Sequence, residues 1–285
     1  MLRRKVTMSE NAPTGGRWMT YTERAPEDGG SEHEGYGGDP LILLHAFPLH
    51  GGMWEPQLDA LAGSRRVILP DYPGFGRAAS EPVPAVPEIG YYAEALRELL
   101  DRLSLERVVL GGISMGGYVA FAALRSFPER ISGLILADTT AAPDTEEARR
   151  GRNETVTRVA GEGVGVLPEL MMDKLLSEHT RRESPETVEQ VRRMALESSP
   201  DGVVAALGAL RERPDSTPLL GDIQVPTLVI GGEEDALSPP ETMARMAEAI
   251  PGSRHVVLSE AGHLSNLESP GKFSAALSGF LQESR

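Results

Sequence analysis

Cysteine is absent from the 285 residues, which excludes disulfides, thiol nucleophiles and thiolate metal sites. No run approaches the roughly 20 consecutive apolar residues that a membrane helix needs. Basic residues are in deficit, 28 against 42 acidic, for a formal charge of -14. A chain of that sign repels nucleic-acid phosphates and anionic membranes, so neither is expected as a partner. The leading segment MLRRKVTMSENAPTGG starts basic but passes into polar and turn residues with no apolar stretch. No secretory leader is therefore expected, and the cytoplasm is the default location. Met8 is an alternative start. Aromatic residues are sparse, at 5% of the chain, and none falls between Ala141 and Asp222.

The composition, 40% hydrophobic and 25% charged, is that of a globular protein with a substantial core. A strand is expected over Arg17 to Arg24, followed by an exposed loop, PEDGGSEHEGYGGD, and a hairpin at a sheet edge would fit this region. From Asp39 onward short apolar runs alternate with amphipathic stretches, the signature of βαβ units and a parallel sheet. The runs are LILL (from Leu41), RVIL (from Arg66), RVVL (from Arg107), LILA (from Leu134), TLVI (from Thr227) and HVVL (from His255). They are continuous rather than alternating, as in strands covered on both faces, and give six parallel strands. Helices are expected over Met53 to Leu61, Ile89 to Leu103, Met115 to Phe127, Pro240 to Ile250 and Pro270 to Leu281. The connection from Thr140 to Asp222 is too long for one crossover and reads as several helices broken by Gly and Pro. The expected organisation is a core over 1–139 with an N-terminal edge strand, a helical cap over 140–222, and the rest of the core over 223–285. The cap would overlie the carboxyl ends of the strands, where open parallel sheets bind ligands.

The segment VVLGGISMGGYV runs from an apolar strand through Gly112, Ile113, Ser114, Met115 and Gly116 into a helix. GxSxG in this context is a nucleophile elbow. The tight turn exposes the Ser114 hydroxyl, and glycines two residues either side remove Cβ atoms that would clash. The following helix aims its free N–H groups at charge developing there. Ser126, Ser132 and Ser238 lack such surroundings.

Serine needs an adjacent base, usually a histidine oriented by a carboxylate. His263 follows the last strand in SEAGHLSNLESP, at the same sheet edge as Ser114. His33, His50 and His179 fall in loops or the insertion, His255 opens a strand at the far end, and His45 would brace its loop. For the acid, Asp235 in VIGGEEDALSPP follows the penultimate strand, with Glu233, Glu234 and Asp138 as rivals. Backbone N–H groups of Met115 and of Phe47, in HAFPLHGGMW, are the expected oxyanion donors. Their side chains would line the acyl pocket, joined by Trp54. The cluster Arg149, Arg150 and Arg152 at the start of the cap would meet the carboxylate of an acidic lactone.

Over Asp39 to Phe280 the segments LLHAFPLHGGMW, LPDYPGFGRA, GGISMGGYVAFAALRSFPERISGLILADT, VPTLVIGGEEDALSPP and SEAGHLSNLESP resemble the α/β-hydrolase superfamily. HAFPL, ISMGGYVAF and ILADTTAAPDTEEARRGR are similar to its small esterases and 3-oxoadipate enol-lactonases. The resemblance implies the α/β-hydrolase fold, with the helical cap inserted after its sixth strand, and the chain order Ser, Asp, His fits that fold. It implies hydrolysis of small-molecule esters or lactones through an acyl-enzyme on Ser114, with no metal or organic cofactor. Many relatives have HG where this chain has His45 and Ala46, so glycine's backbone freedom is missing in the oxyanion loop. Epoxide hydrolases and haloalkane dehalogenases have an aspartate in place of Ser114, epoxide hydrolases also need cap tyrosines, and proline-type aminopeptidases usually have Trp where Met115 stands. The same triad would serve a cofactor-free haloperoxidase or perhydrolase, a carbon-carbon bond hydrolase, or, without catalysis, a ligand receptor.

Overall fold

The computed structural model describes residues 5–7, 17–26, 38–85 and 87–283. Its strands are β1 (Lys5–Thr7), β2 (Thr20–Arg24), β3 (Leu41–Leu44), β4 (Val67–Asp71), β5 (Val108–Ile113), β6 (Ile131–Ala137), β7 (Thr227–Gly232) and β8 (Arg254–Leu258). They form one sheet in the order β1-β2-β4-β3-β5-β6-β7-β8. The six strands β3 to β8 pair in parallel, as the apolar runs predict, while β1 and β2 add an antiparallel edge. Most of the 26–39 loop, with His33, and Met8 lie outside the described residues.

The helices are α1 (Glu55–Leu61), α2 (Ile89–Arg102), α3 (Met115–Ser126), α4 (Glu146–Glu162), α5 (Leu167–Leu175), α6 (Glu178–Glu183), α7 (Pro185–Leu196), α8 (Pro200–Arg211), α9 (Pro240–Ala249), α10 (Ser265–Glu268) and α11 (Pro270–Glu283). Among the described residues no helix is long and apolar enough to cross a membrane. Packing pairs α2 with α3 and α1 with α11. β3, β4, β5 and β7 are buried throughout, and β6 at all but the half-buried Ser132, which is why their sequences lack alternation. β8 corrects the expectation that all six are covered on both faces: it is the sheet's edge, and Val257 is 44% exposed.

Because β3 to β8 run in parallel, the segments after Leu44, Ile113, Ala137, Gly232 and Leu258 emerge at one edge. Helices α4 to α8 all lie between β6 and β7. Their α7–α8 junction is joined to the loop after β4, with Gly76 N–H donating to Glu197 O (2.9 Å) and Ser199 N–H to Gly74 O (2.9 Å). The contact requires glycine on both sides, since a Cβ on Gly202 would lie 2.6 Å from Gly74 Cα.

Candidate active site

Ser114 joins β5 to α3 at φ 53°, ψ -113°. A non-glycine residue held at positive φ costs on the order of 1–3 kcal/mol and persists only where its surroundings enforce it. The glycines act as the sequence predicts. A Cβ on Gly112 would lie 2.2 Å from the Gly116 carbonyl carbon, and one on Gly116 would lie 2.5 Å from Leu44 O.

His263, on the loop between β8 and α10, meets Ser114 across 149 residues of chain: its Nε2 is 2.8 Å from Ser114 Oγ. On the other side its Nδ1 is 2.9 and 2.8 Å from the two Asp235 carboxylate oxygens. Asp235 Oδ1 also accepts the N–H groups of Leu237 (2.8 Å) and Ser238 (2.9 Å). Burial alone would raise the Asp235 carboxyl, but His263 and these two N–H groups hold it below its ordinary value. A carboxylate at this position assigns the Nδ1 proton as donor and leaves the Nε2 lone pair facing the serine hydroxyl.

None of the three rival acids reaches His263. Glu233 and Glu234 are exposed. Asp138 is buried, but it accepts Gly232 N–H (2.8 Å) and Ser265 Oγ–H (2.5 Å) instead. Burial, then the neighbouring Asp235 charge, pushes its carboxyl well above the usual range.

Among the described residues neither Phe47 N–H nor Met115 N–H has a protein acceptor. Both belong to segments leaving the same sheet edge as Ser114. Ala46 is not in the left-handed region, so the glycine missing there is not needed. His45 braces this loop: Nε2 accepts Tyr72 N–H (3.1 Å), which leaves Nδ1 to donate to Ala46 O (3.0 Å). Burial lowers its pKa to about 3 and keeps the ring neutral.

A cavity of about 760 Å³ opens on Ser114 and His263, walled by Phe47, by Leu237 and by residues of α4, α5 and α8. Two expected pocket residues are not in its wall. Trp54 is fully buried, with its indole N–H on Leu44 O (3.2 Å) and its ring against Phe273. Met115 is fully buried as well. The arginine cluster divides. Arg149 turns to Glu146 (3.7 Å) and is not part of the wall. Arg150 lines the mouth without an ion pair among the described residues. Arg152 lines the wall and binds Asp144, to which Arg213 is also paired. Burial alone would raise the Asp144 carboxyl, but the two guanidiniums hold it below the usual range.

Sequence reasoning missed Arg213, whose guanidinium lies 4.1 Å above the ring of Tyr118, another wall residue. For Tyr118 a signal existed: it stands one helical turn after Ser114 and shares its face of α3. For Arg213, 69 residues from Asp144, no local pattern points to the contact.

A family described as alpha/beta hydrolase fold matches residues 39–270. A thermophilic esterase from Thermogutta terrifontis, in a malate-bound structure, is 40% identical, with a TM-score of 0.87 and coverage of 100% of this chain and 99% of that one. The 3-oxoadipate enol-lactonase 2 of Acinetobacter baylyi is 30% identical over 83% of this chain and 86% of its own. The pimeloyl-[acyl-carrier protein] methyl ester esterase of Aeromonas hydrophila is also 30% identical, over 86% of this chain and 96% of its own.

Proposed function

The chain belongs to the alpha/beta hydrolase fold family, and from that premise we propose that it hydrolyses carboxylic esters or lactones of small molecules through an acyl-enzyme on Ser114. The observation that carries the proposal is the continuous line from Asp235 through His263 to Ser114, each contact at hydrogen-bond distance. His263 Nε2 takes the hydroxyl proton as Ser114 Oγ attacks the carbonyl carbon, and Asp235 stabilises the imidazolium that forms. Phe47 and Met115 donate their free N–H groups to the oxyanion. The imidazolium returns the proton to the leaving alkoxide, and the alcohol departs from an ester or, from a lactone, remains as a hydroxyl on the opened acyl chain. Water then repeats the sequence on the acyl carbon, with its proton passing through His263 to Ser114 and the acid released.

We read α4 to α8 as a cap, residues 140–222, on a core of 1–139 and 223–285, so that the cap supplies the substrate-facing wall. Cytoplasmic residence belongs to the same reading. The wall supports a substrate that carries a second, anionic group. Arg152 and Arg213 share one carboxylate, Asp144, which leaves one guanidinium charge in excess beside the cavity. At the mouth Arg150 and Lys174 are offset by Glu147 and Glu154. The 40% identical Thermogutta esterase is described with malate, a dicarboxylate, bound.

Turnover of p-nitrophenyl esters of graded chain length and of enol-lactones, with and without a carboxylate, tests the proposal beside Ser114→Ala. Hydrolysis by wild type and none above background in Ser114→Ala is expected. Activity retained in the variant would refute it.

A further inference from the structure

Resting on that reading, we propose that Glu268 is a positioning residue for the general base, and that it fastens the substrate-facing part of the cap to the loop carrying His263. Its carboxylate reaches back from the end of α10. Oε1 accepts Gly262 N–H (3.0 Å) and Leu264 N–H (3.3 Å), the amides on either side of His263. Oε2 accepts Ser177 N–H (2.8 Å) at the start of α6. All three partners are backbone donors, and no cation among the described residues pairs with this carboxylate. A carboxylate is the one side chain here that can serve three N–H donors with no donor of its own in the way.

Further contacts run across the same seam. Leu264 N–H also donates to Leu175 O (3.1 Å), and Ser177 Oγ donates to Glu260 O (3.4 Å). Gly262 has no space for a side chain, since a Cβ there would lie 2.6 Å from Ser177 N and 3.1 Å from the Leu176 carbonyl carbon. The helix preceding this corner, α5, contributes Met171, Lys174 and Leu175 to the cavity wall. The seam therefore links the surface that meets substrate to the backbone that aims His263. A shift of either moves the other, and a displacement of about 1 Å in a reacting group can cost on the order of 100-fold in rate.

Glu268→Gln separates the two halves of the strap, because an amide has one oxygen and must turn its NH2 towards either Ser177 or the His263 loop. Gly262→Ala keeps the carboxylate but forces the seam apart. For both, kcat on p-nitrophenyl butyrate should fall by about 10- to 100-fold while KM stays within about threefold. The far-downfield proton resonance of His263 Nδ1–H, bonded to Asp235, should shift or broaden in parallel. In wild type, the Gly262 and Ser177 amide protons should exchange with solvent as one unit, a measurement that does not depend on either variant folding. Wild-type kcat with an unmoved resonance would overturn the proposal, as would a change confined to KM or independent exchange of the two amides. Ser114→Ala, assayed alongside, keeps a failure of the acyl-enzyme reading distinct: activity in that variant would refute the nucleophile, whatever Glu268 does.

Discussion

Replacing Asp235 with asparagine should remove nearly all turnover, and the contacts around Oδ1 say why. Leu237 and Ser238 both donate to this oxygen (2.8 and 2.9 Å), so an asparagine must place its carbonyl there. Its NH2 then occupies the Oδ2 position, 2.8 Å from His263 Nδ1. Two donors cannot face each other, so the shorter contact favours the tautomer in which Nδ1 accepts and the ring proton sits on Nε2, over the one that donates to the carbonyl at the Oδ1 position, 2.9 Å away. The histidine then offers Ser114 a hydrogen where a lone pair is required. In a serine triad this wrong tautomer costs on the order of 10⁴ in kcat, or about 5.5 kcal/mol at 1.36 kcal/mol per decade. KM should change little, because no substrate contact is lost. Asp138→Asn is the matched control. Asp138 accepts from Gly232 N–H and from a hydroxyl, Ser265 Oγ–H, and a hydroxyl can reverse its role to accept from an amide NH2. That variant should keep kcat within about tenfold of wild type. The assay is kcat and KM on one activated ester at neutral pH for both variants. Asp235→Asn within tenfold of wild type, or Asp138→Asn as inactive as Asp235→Asn is expected to be, would refute the assignment of the acid.

Other outcomes follow from the same geometry. His45 is buried neutral with a pKa of about 3, whereas an unfolded chain takes up that proton near pH 6.5. The unfolded state thus binds more protons between those values, and stability should fall as pH drops, by up to about 1.4 kcal/mol per unit from this group. Urea unfolding at pH 4 to 7 should show the slope, and His45→Gln should flatten it; an unchanged slope would refute the neutral assignment. Gly112→Ala would set a Cβ 2.2 Å from backbone and should cost at least about 1–3 kcal/mol of stability together with most activity. Gly208→Ala, inside α8 with nothing within 4 Å of the added Cβ, should stabilise by about 0.5–1 kcal/mol. Thermal melts of the two, moving in opposite directions, check this. Arg152→Ala should lower kcat/KM for a hemisuccinate ester about tenfold or more relative to the matching butyrate, the scale of one charged hydrogen bond. Equal effects on both esters would argue against an anionic substrate.

The parts of the site that were legible in the sequence are those whose chemistry is local. A continuous apolar strand, a glycine-flanked turn and a helix are consecutive, so Ser114 and its strained backbone could be placed from VVLGGISMGGYV alone. His263 and Asp235 follow from a second regularity: in a parallel sheet every strand delivers its next residues to the same edge. Choosing Asp235 over Glu233, Glu234 and Asp138 needed the fold, because all four leave the same edge and only geometry shows which one faces Nδ1. The cavity wall was the least legible. Trp54 ends the oxyanion loop and Met115 follows the nucleophile, but both are buried in the core, and side-chain direction at such turns has no period to read. Arg213 and Glu268 act across long sequence separations, Arg213 on Asp144 and Glu268 on Ser177, 91 residues away. The first joins the two ends of the 140–222 segment and the second joins α10 to the start of α6, so neither leaves a local pattern in the sequence.

The central claim is that Ser114 Oγ becomes covalently acylated. Treating the protein with a fluorophosphonate and measuring intact mass, followed by peptide mapping, tests it directly. A single phosphonyl adduct on the peptide containing Ser114 is predicted, lost in Ser114→Ala and slowed in His263→Ala. An unmodified protein, or an adduct on another residue, would contradict the account.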